Sequence, residues 1–136
     1  MIPTHQTKGS AGADLCAAED VTIKAMETVA VKTGAYVPES MPKGAWLGLY
    51  ARSSLAAKGL ITSIGVIDAD YKGEIKVVLT NLSGTHYKII KGERIGQLIP
   101  QYYMQNVFPV HDVKRVGGFG STNYTDNTTE FGEDVR

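Results

Sequence analysis

Ile61-Thr62-Ser63-Ile64-Gly65-Val66-Ile67-Asp68-Ala69-Asp70-Tyr71-Lys72-Gly73-Glu74-Ile75-Lys76-Val77-Val78-Leu79-Thr80-Asn81-Leu82 reads as two apolar, β-branched runs about a polar centre. The runs at 61–68 and 74–82 carry alternating apolar residues and predict strands. Asp70-Tyr71-Lys72-Gly73 between them has the turn chemistry of a β-hairpin. The same punctuation continues outward. Residues 21–23 and 28–31 read as strands about the polar turn 24–27, and 45–50 reads as a third after the turn marked by Pro38, Pro42 and Gly44. Residues 87–90 and 94–103 follow, with Gly84 and Lys91-Gly92 as turns, and only 53–58 reads as helical. Many short strands in one chain predict an all-β barrel or jelly roll, architectures that hide their sheet edges.

The chain has 136 residues, 43% of them hydrophobic, so one domain with a packed core is expected. Fourteen Lys and Arg balance fourteen Asp and Glu, so no global field draws the protein onto nucleic acid, and any phosphate chemistry must rest on local charge. The single cysteine, Cys16, cannot form an internal disulfide. The first nine residues lack the pattern of a secretory signal, and no apolar run approaches membrane-spanning length. The expectation is a soluble intracellular protein with no membrane partner. From Arg115 onward the composition changes: 116–122 is glycine-rich and 123–136 is polar and acidic, which predicts a core over 1–114 and a mobile arm over 115–136.

Three segments offer chemistry. Ala51-Arg52-Ser53-Ser54-Leu55 is a candidate anion site, in which a guanidinium, two hydroxyls and turn amides surround a phosphate; the competing reading is a surface arginine followed by serines that cap one helical turn. Gly117-Gly118-Phe119-Gly120-Ser121-Thr122 lets backbone amides approach phosphate while Phe119 stacks on a base, against the alternative of a plain linker. Phe119, apolar and preceded by Arg115, weighs against the linker. Asp68 ends an apolar run and opens a turn, so a carboxylate there can orient and deprotonate water, while Asx turns are the commoner use of Asp68 and Asp70. The two face one side if the strand continues and different sides if a turn intervenes, so alternation alone does not choose the base. His5, His86 and His111 show no zinc-site spacing and take no role. The Gly9-Ser10-Ala11-Gly12-Ala13-Asp14-Leu15 stretch is too loose for a dinucleotide fingerprint.

In chain order, Ala11-Gly12-Ala13-Asp14-Leu15, Ala51-Arg52-Ser53-Ser54-Leu55-Ala56-Ala57-Lys58-Gly59, Gly65-Val66-Ile67-Asp68-Ala69-Asp70-Tyr71-Lys72-Gly73-Glu74, Gly92-Glu93-Arg94-Ile95-Gly96-Gln97-Leu98-Ile99 and Gly118-Phe119-Gly120-Ser121-Thr122 resemble the five motifs of the trimeric dUTPase family. The resemblance covers nearly the whole chain. It implies a jelly-roll-like β-barrel, a homotrimer with active sites shared between subunits, and Mg2+-assisted hydrolysis of dUTP to dUMP and pyrophosphate. It assigns Asp68 to activating the attacking water and Tyr71 to packing under the deoxyribose, which excludes a 2′-hydroxyl. Ser63, Gly65, Val66 and Ile67 would read the uracil edge, with Lys76 near the base. Arg52, Ser53 and Ser54 would bind phosphates, and Gln97 would reach them from another subunit. Asp14 would anchor the metal-bound triphosphate indirectly, since Mg2+ is held mostly by phosphate oxygens and water. In the arm, Phe119 and Gly120 would close over uracil while Arg115, Ser121 and Thr122 contact phosphates.

The chain departs from the family pattern in places. Val116 replaces a glycine of the fifth motif and the spacing is one residue shorter, while Asn123 replaces its final glycine. Valine cannot take the positive φ that glycine allows. Gly96 stands where alanine is commoner, a change expected to matter little. Two rival readings remain: a dCTP deaminase-like enzyme, which shares an Arg-Ser-Ser-Leu segment but not the Gly-Phe-Gly-Ser-Thr arm, and a non-catalytic nucleotide-sensing or protein-binding module on the same scaffold.

Overall fold

The computed structural model describes residues 1–104 and 106–111. Among these are nine strands and one short helix: β1 (Ala13–Cys16), β2 (Val21–Ile23), β3 (Thr28–Ala35), β4 (Ala45–Tyr50), α1 (Ser53–Ala56), β5 (Leu60–Thr62), β6 (Gly65–Ile67), β7 (Ile75–Asn81), β8 (Tyr87–Ile89) and β9 (Arg94–Tyr102). They form a four-stranded sheet in the order β1-β9-β4-β6, a three-stranded sheet β3-β7-β5 and the pair β2-β8. Every pairing is antiparallel. The expected all-β class is what the chain adopts. The predicted arm, with Arg115, Val116, Phe119, Gly120, Ser121, Thr122 and Asn123, lies outside the described residues.

Alternation puts one face of each sheet inside, most regularly on β7. On β7, Ile75, Val77, Leu79 and Asn81 are buried, whereas Lys76, Val78 and Thr80 point outward. The core gathers Leu15, Ile23, Val31, Leu47, Leu49, Leu60, Ile67, Ile75, Val77, Leu79, Ile89, Ile95 and Leu98. Asn81, fully buried, is the polar pin of this core. Its Nδ2 donates to the carbonyls of Ile23 at 2.9 Å and Thr85 at 2.8 Å, and its Oδ1 accepts from the Ser83 amide and hydroxyl. All four hydrogen-bonding positions of the amide are thus used, which is what makes its burial tolerable.

The hairpin expected around residues 70–73 takes a different form. Residues 61–68 are not one strand: β5 pairs with β7, with Thr62 opposite Leu79, but β6 leaves that sheet and pairs with β4, with Ile67 opposite Leu47. Ser63 makes the last hydrogen bond to β7, its amide donating to the Val78 carbonyl at 3.1 Å. A strand that switches sheets is how sandwiches and barrels turn corners, and the alternation changes phase at the switch: Leu60 and Thr62 are buried, Ile64 and Val66 are exposed, and Ile67 is buried again. The turn also falls two residues earlier than expected, because the Tyr71 amide donates to the Asp68 carbonyl at 3.0 Å. A turn therefore intervenes between Asp68, half-buried, and Asp70, exposed.

Two strands carry irregularities. β3 runs on past Val31 to Ala35, with a register shift between Lys32 and Ala35 opposite β7. Gly34 sits there at φ +70°, a conformation that favours glycine. Thr33 Oγ1 donates to the Ile75 carbonyl and Glu74 accepts from the Gly34 amide at 2.7 Å, so polar side chains take up the backbone groups that the bulge displaces. β1 was not expected from the sequence. It shifts register against β9 between Leu15 and Cys16.

Candidate active site

Segments far apart in sequence meet at one end of the four-stranded sheet. Gln97 on β9 lies opposite Asp14 on β1 and, on its other side, opposite Tyr50 at the end of β4. β4 runs directly into residues 51–54, so the first, second and fourth motif segments converge here. The Gln97 Nε2 donates to the Ala51 carbonyl at 3.0 Å. Its Oε1 is turned toward Gly12, where a Cβ would collide with it and would also press on Gln97 Cβ and Cδ at 3.1 Å. Glycine at position 12 therefore gives the glutamine its seat. The Arg52 Nη1 donates to the Arg94 carbonyl at 3.3 Å, and Arg94 pairs with Asp14 at 3.4 Å.

Arg52 is the N-cap of α1, in extended geometry, with no side-chain cap hydrogen bond. The alternative in which the serines cap this turn is thereby set aside: Ser53 and Ser54 are the first helical residues, and both are exposed beside the half-buried Arg52. Leu55 anchors the turn in the core at 2% exposure. Arg52, Ser53, Ser54, Gln97 and Asp14 are thus brought together within one protomer.

Asp68 is placed elsewhere. Continuing the β6 register beyond Ile67 opposite Leu47 puts Asp68 level with Trp46, four residues along β4 from the row of Gln97. With ~3.3 Å per residue and two strand spacings of ~4.8 Å, the backbones of Asp68 and Gln97 lie roughly 16 Å apart, beyond direct side-chain contact. Tyr71 packs into the core cluster at 8% exposure, and its hydroxyl donates to the Glu74 carbonyl at 3.0 Å, which fixes the ring. Gly65, Val66 and Ile67 form β6, the edge strand of the four-stranded sheet, so the main-chain groups facing away from β4 are offered outward. The Ser63 amide is engaged by Val78. Lys76 lies on the central strand of the other sheet, opposite Lys32, and shares no ladder with β6. His5, His86 and His111 are exposed. Arg94, which ties Asp14 to Arg52, was missed by sequence reasoning; its one signal was a charge at a position that strict alternation from Gln97 would bury.

The fold matches solved dUTPases. The Streptococcus mutans dUTPase superposes with a TM-score of 0.69 at 34% identity, covering 76% of this chain and 87% of its own. The EIAV dUTPase gives 0.67 at 28%, covering 84% and 93%. A mutant of the Staphylococcus bacteriophage 80alpha dUTPase, solved with dUpNHpp, gives 0.72 at 25%, covering 85% and 92%. In sequence, the deoxyuridine 5'-triphosphate nucleotidohydrolases of Finegoldia magna and Zymomonas mobilis are 40% and 41% identical over 133 and 129 residues, covering 90% and 89% of this chain and 92% and 87% of theirs. The dUTPase family profile matches residues 1–123. The chain belongs to the dUTPase family.

Proposed function

We propose that this dUTP nucleotidohydrolase acts at a site completed between copies of the chain, with Asp68 of one protomer facing the Arg52, Gln97 and Asp14 cluster of another. The observation that carries this is the separation of roughly 16 Å between Asp68 and Gln97 within one protomer, taken from strand spacings. Apolar side chains on the outside of the molecule support association of copies. Ile64 is 74% exposed and Val66 68%, and Tyr102, Met104, Val107 and Phe108 are each at least 72% exposed where the chain leaves β9. A run of this kind on a soluble surface marks an interface. A cyclic trimer is the assembly that the family resemblance implies.

In this reading the Asp68 carboxylate takes a proton from a water and aims it in line at the α-phosphorus. A water-oxygen to phosphorus bond forms, the bond from the α-phosphorus to the bridging oxygen breaks, and pyrophosphate leaves dUMP behind. Arg52 with the Ser53 and Ser54 hydroxyls binds phosphate oxygens, and Gln97, seated by Gly12, reaches the same group. The outward main-chain edge at Gly65, Val66 and Ile67, with Ser63 beside it, reads the uracil. The fixed ring of Tyr71 lies under the deoxyribose and leaves no space for a ribose hydroxyl. Lys76 stands near the base. Phe119 and Gly120 close over uracil while Arg115, Ser121 and Thr122 contact phosphates.

Among the described residues no group of three or more His, Cys, Asp or Glu could hold a metal ion. The donors present, the Asp14 carboxylate and the Gln97 amide beside a cationic segment, suit Mg2+ held chiefly by phosphate oxygens and water, with Asp14 touching it through water. Bound there, Mg2+ would neutralise triphosphate charge and fix its conformation. The test is pyrophosphate release from dUTP, dCTP, dTTP and UTP by the wild type and Asp68→Asn. Turnover confined to dUTP that falls about 10²–10⁴-fold in the variant is expected. An Asp68→Asn enzyme with undiminished turnover would refute the assignment.

A further inference from the structure

Arg94 and Gln97 stand three positions apart on β9, and on a regular strand residues at an odd separation face opposite sides. Arg94 would then point into the core. The register shows why it does not. Asp14 pairs with Gln97 and Leu15 with Gly96, but Cys16 pairs with Arg94, so Ile95 is passed over. Ile95 and Gly96 are both buried in succession, and Arg94 emerges on the same outer face as Gln97. Bulges re-aim side chains in this way, and here the re-aimed group is a guanidinium.

What the re-aimed residue touches is specific. Its Nη1 lies 3.4 Å from Asp14 Oδ2, and its carbonyl accepts from Arg52 at 3.3 Å. One residue thus meets the first motif through its side chain and the second through its main chain. The Arg94 side chain is 43% exposed and that of Asp14 16%. An ion pair this accessible to water adds little to folding stability, so its consequence is orientation of the carboxylate.

We infer that Arg94 is a positioning residue, which turns the Asp14 carboxylate toward the waters of a Mg2+-bound triphosphate and holds it there. The inference rests on the reading of Asp14 given above. A carboxylate with one oxygen against a guanidinium retains lone pairs for hydrogen bonds from metal-bound water, and its ligand-facing direction is set by that contact.

The experiment compares Arg94→Met, Arg94→Lys, Asp14→Asn and the double variant Asp14→Asn with Arg94→Met, using calorimetric binding of dUpNHpp in Mg2+ and in EDTA, the Mg2+ concentration for half-maximal hydrolysis, and thermal midpoints. Arg94→Met is expected to weaken analogue binding in Mg2+ and raise the half-maximal Mg2+ concentration about tenfold, as loss of a partner to a metal-facing group does. Its binding in EDTA and its thermal midpoint should stay near wild type, Arg94→Lys should recover part of the loss, and the double variant should be no worse than Asp14→Asn. Unchanged Mg2+ response in Arg94→Met beside a changed one in Asp14→Asn overturns the inference alone. Weakening that is equal in Mg2+ and EDTA also overturns it, since Arg94 would then act on the phosphates directly. An unchanged response in Asp14→Asn overturns the reading of Asp14, and the inference with it.

Discussion

Gly12→Ala isolates the seat of Gln97. The backbone at position 12 is not in the left-handed region, so alanine is allowed there and only the added methyl matters. That methyl meets Gln97 Oε1, and also Cβ and Cδ at 3.1 Å. The amide can swing away from the first contact, but doing so breaks its hydrogen bond to the Ala51 carbonyl. No rotamer change relieves the Cβ contact, so β1 and β9 must part by a few tenths of an ångström. A lost hydrogen bond is worth about 0.5–1.5 kcal/mol and an off-rotamer side chain a similar amount, so about 1–3 kcal/mol of site geometry is at stake. If Gln97 holds substrate in the transition state, kcat/KM for dUTP falls roughly 5- to 150-fold. The assay is pyrophosphate release beside a thermal midpoint, in the wild-type and Gln97→Ala backgrounds. With Gln97 truncated the methyl has little left to displace, so Gly12→Ala should cost little more there. A Gly12→Ala enzyme within twofold of wild type, or one equally impaired in both backgrounds, refutes the seat.

Three further expectations rest on single features. Asn81→Leu keeps the volume but removes the side-chain partner of the buried Ile23 carbonyl and of the Ser83 amide and hydroxyl, and should cost about 2–5 kcal/mol in denaturant unfolding; a loss under about 1 kcal/mol refutes the pin. Burial, then the hydrogen bond to Glu93 and its charge, raise the Tyr87 phenol above its ordinary 10.0, so the stability this gives is full below pH 10 and is lost as pH rises through the folded value. Tyr87→Phe should therefore lose stability less steeply above pH 10, and parallel curves would remove the effect. Mixing the impaired Asp68→Asn with the impaired Gln97→Ala should restore about one quarter of wild-type sites in random cyclic trimers; verified mixed assemblies with no activity above that of the two variants alone would place each site within one protomer.

How much of this was legible in the sequence depended on whether the governing contact was local. β2 and β4 have the predicted bounds, and β8, β9 and α1 differ only at their ends, because turn residues punctuate the chain beside them. β1 went unread. It has only four residues, follows a glycine-rich stretch, and is made a strand by β9 some eighty positions later. The sheet switch between β5 and β6 was hidden for another reason: burial changes phase between Thr62 and Ile67, five positions apart, but Ile64 and Val66 are apolar although exposed, so residue polarity did not report the break. The same limit applies to Tyr71, whose place in a turn says nothing about its packing into the core.

The site shows the limit most clearly at Arg94. Motif resemblance found the Arg52, Asp14 and Gln97 segments because each is written as contiguous residue types. Arg94 belongs to the same fourth segment, yet counting by two from Gln97 assigns it to the core. Only the register shift opposite Leu15 and Cys16 brings it outside. A charged residue that strict alternation would bury is therefore a signal in its own right: its charge cannot be left unpaired inside, so the strand must break step nearby. In this chain the break falls where the cationic side chain meets the carboxylate it orients. The conflict between charge and period in Arg94-Ile95-Gly96-Gln97 already marked that position, although only the register shows which residue is skipped.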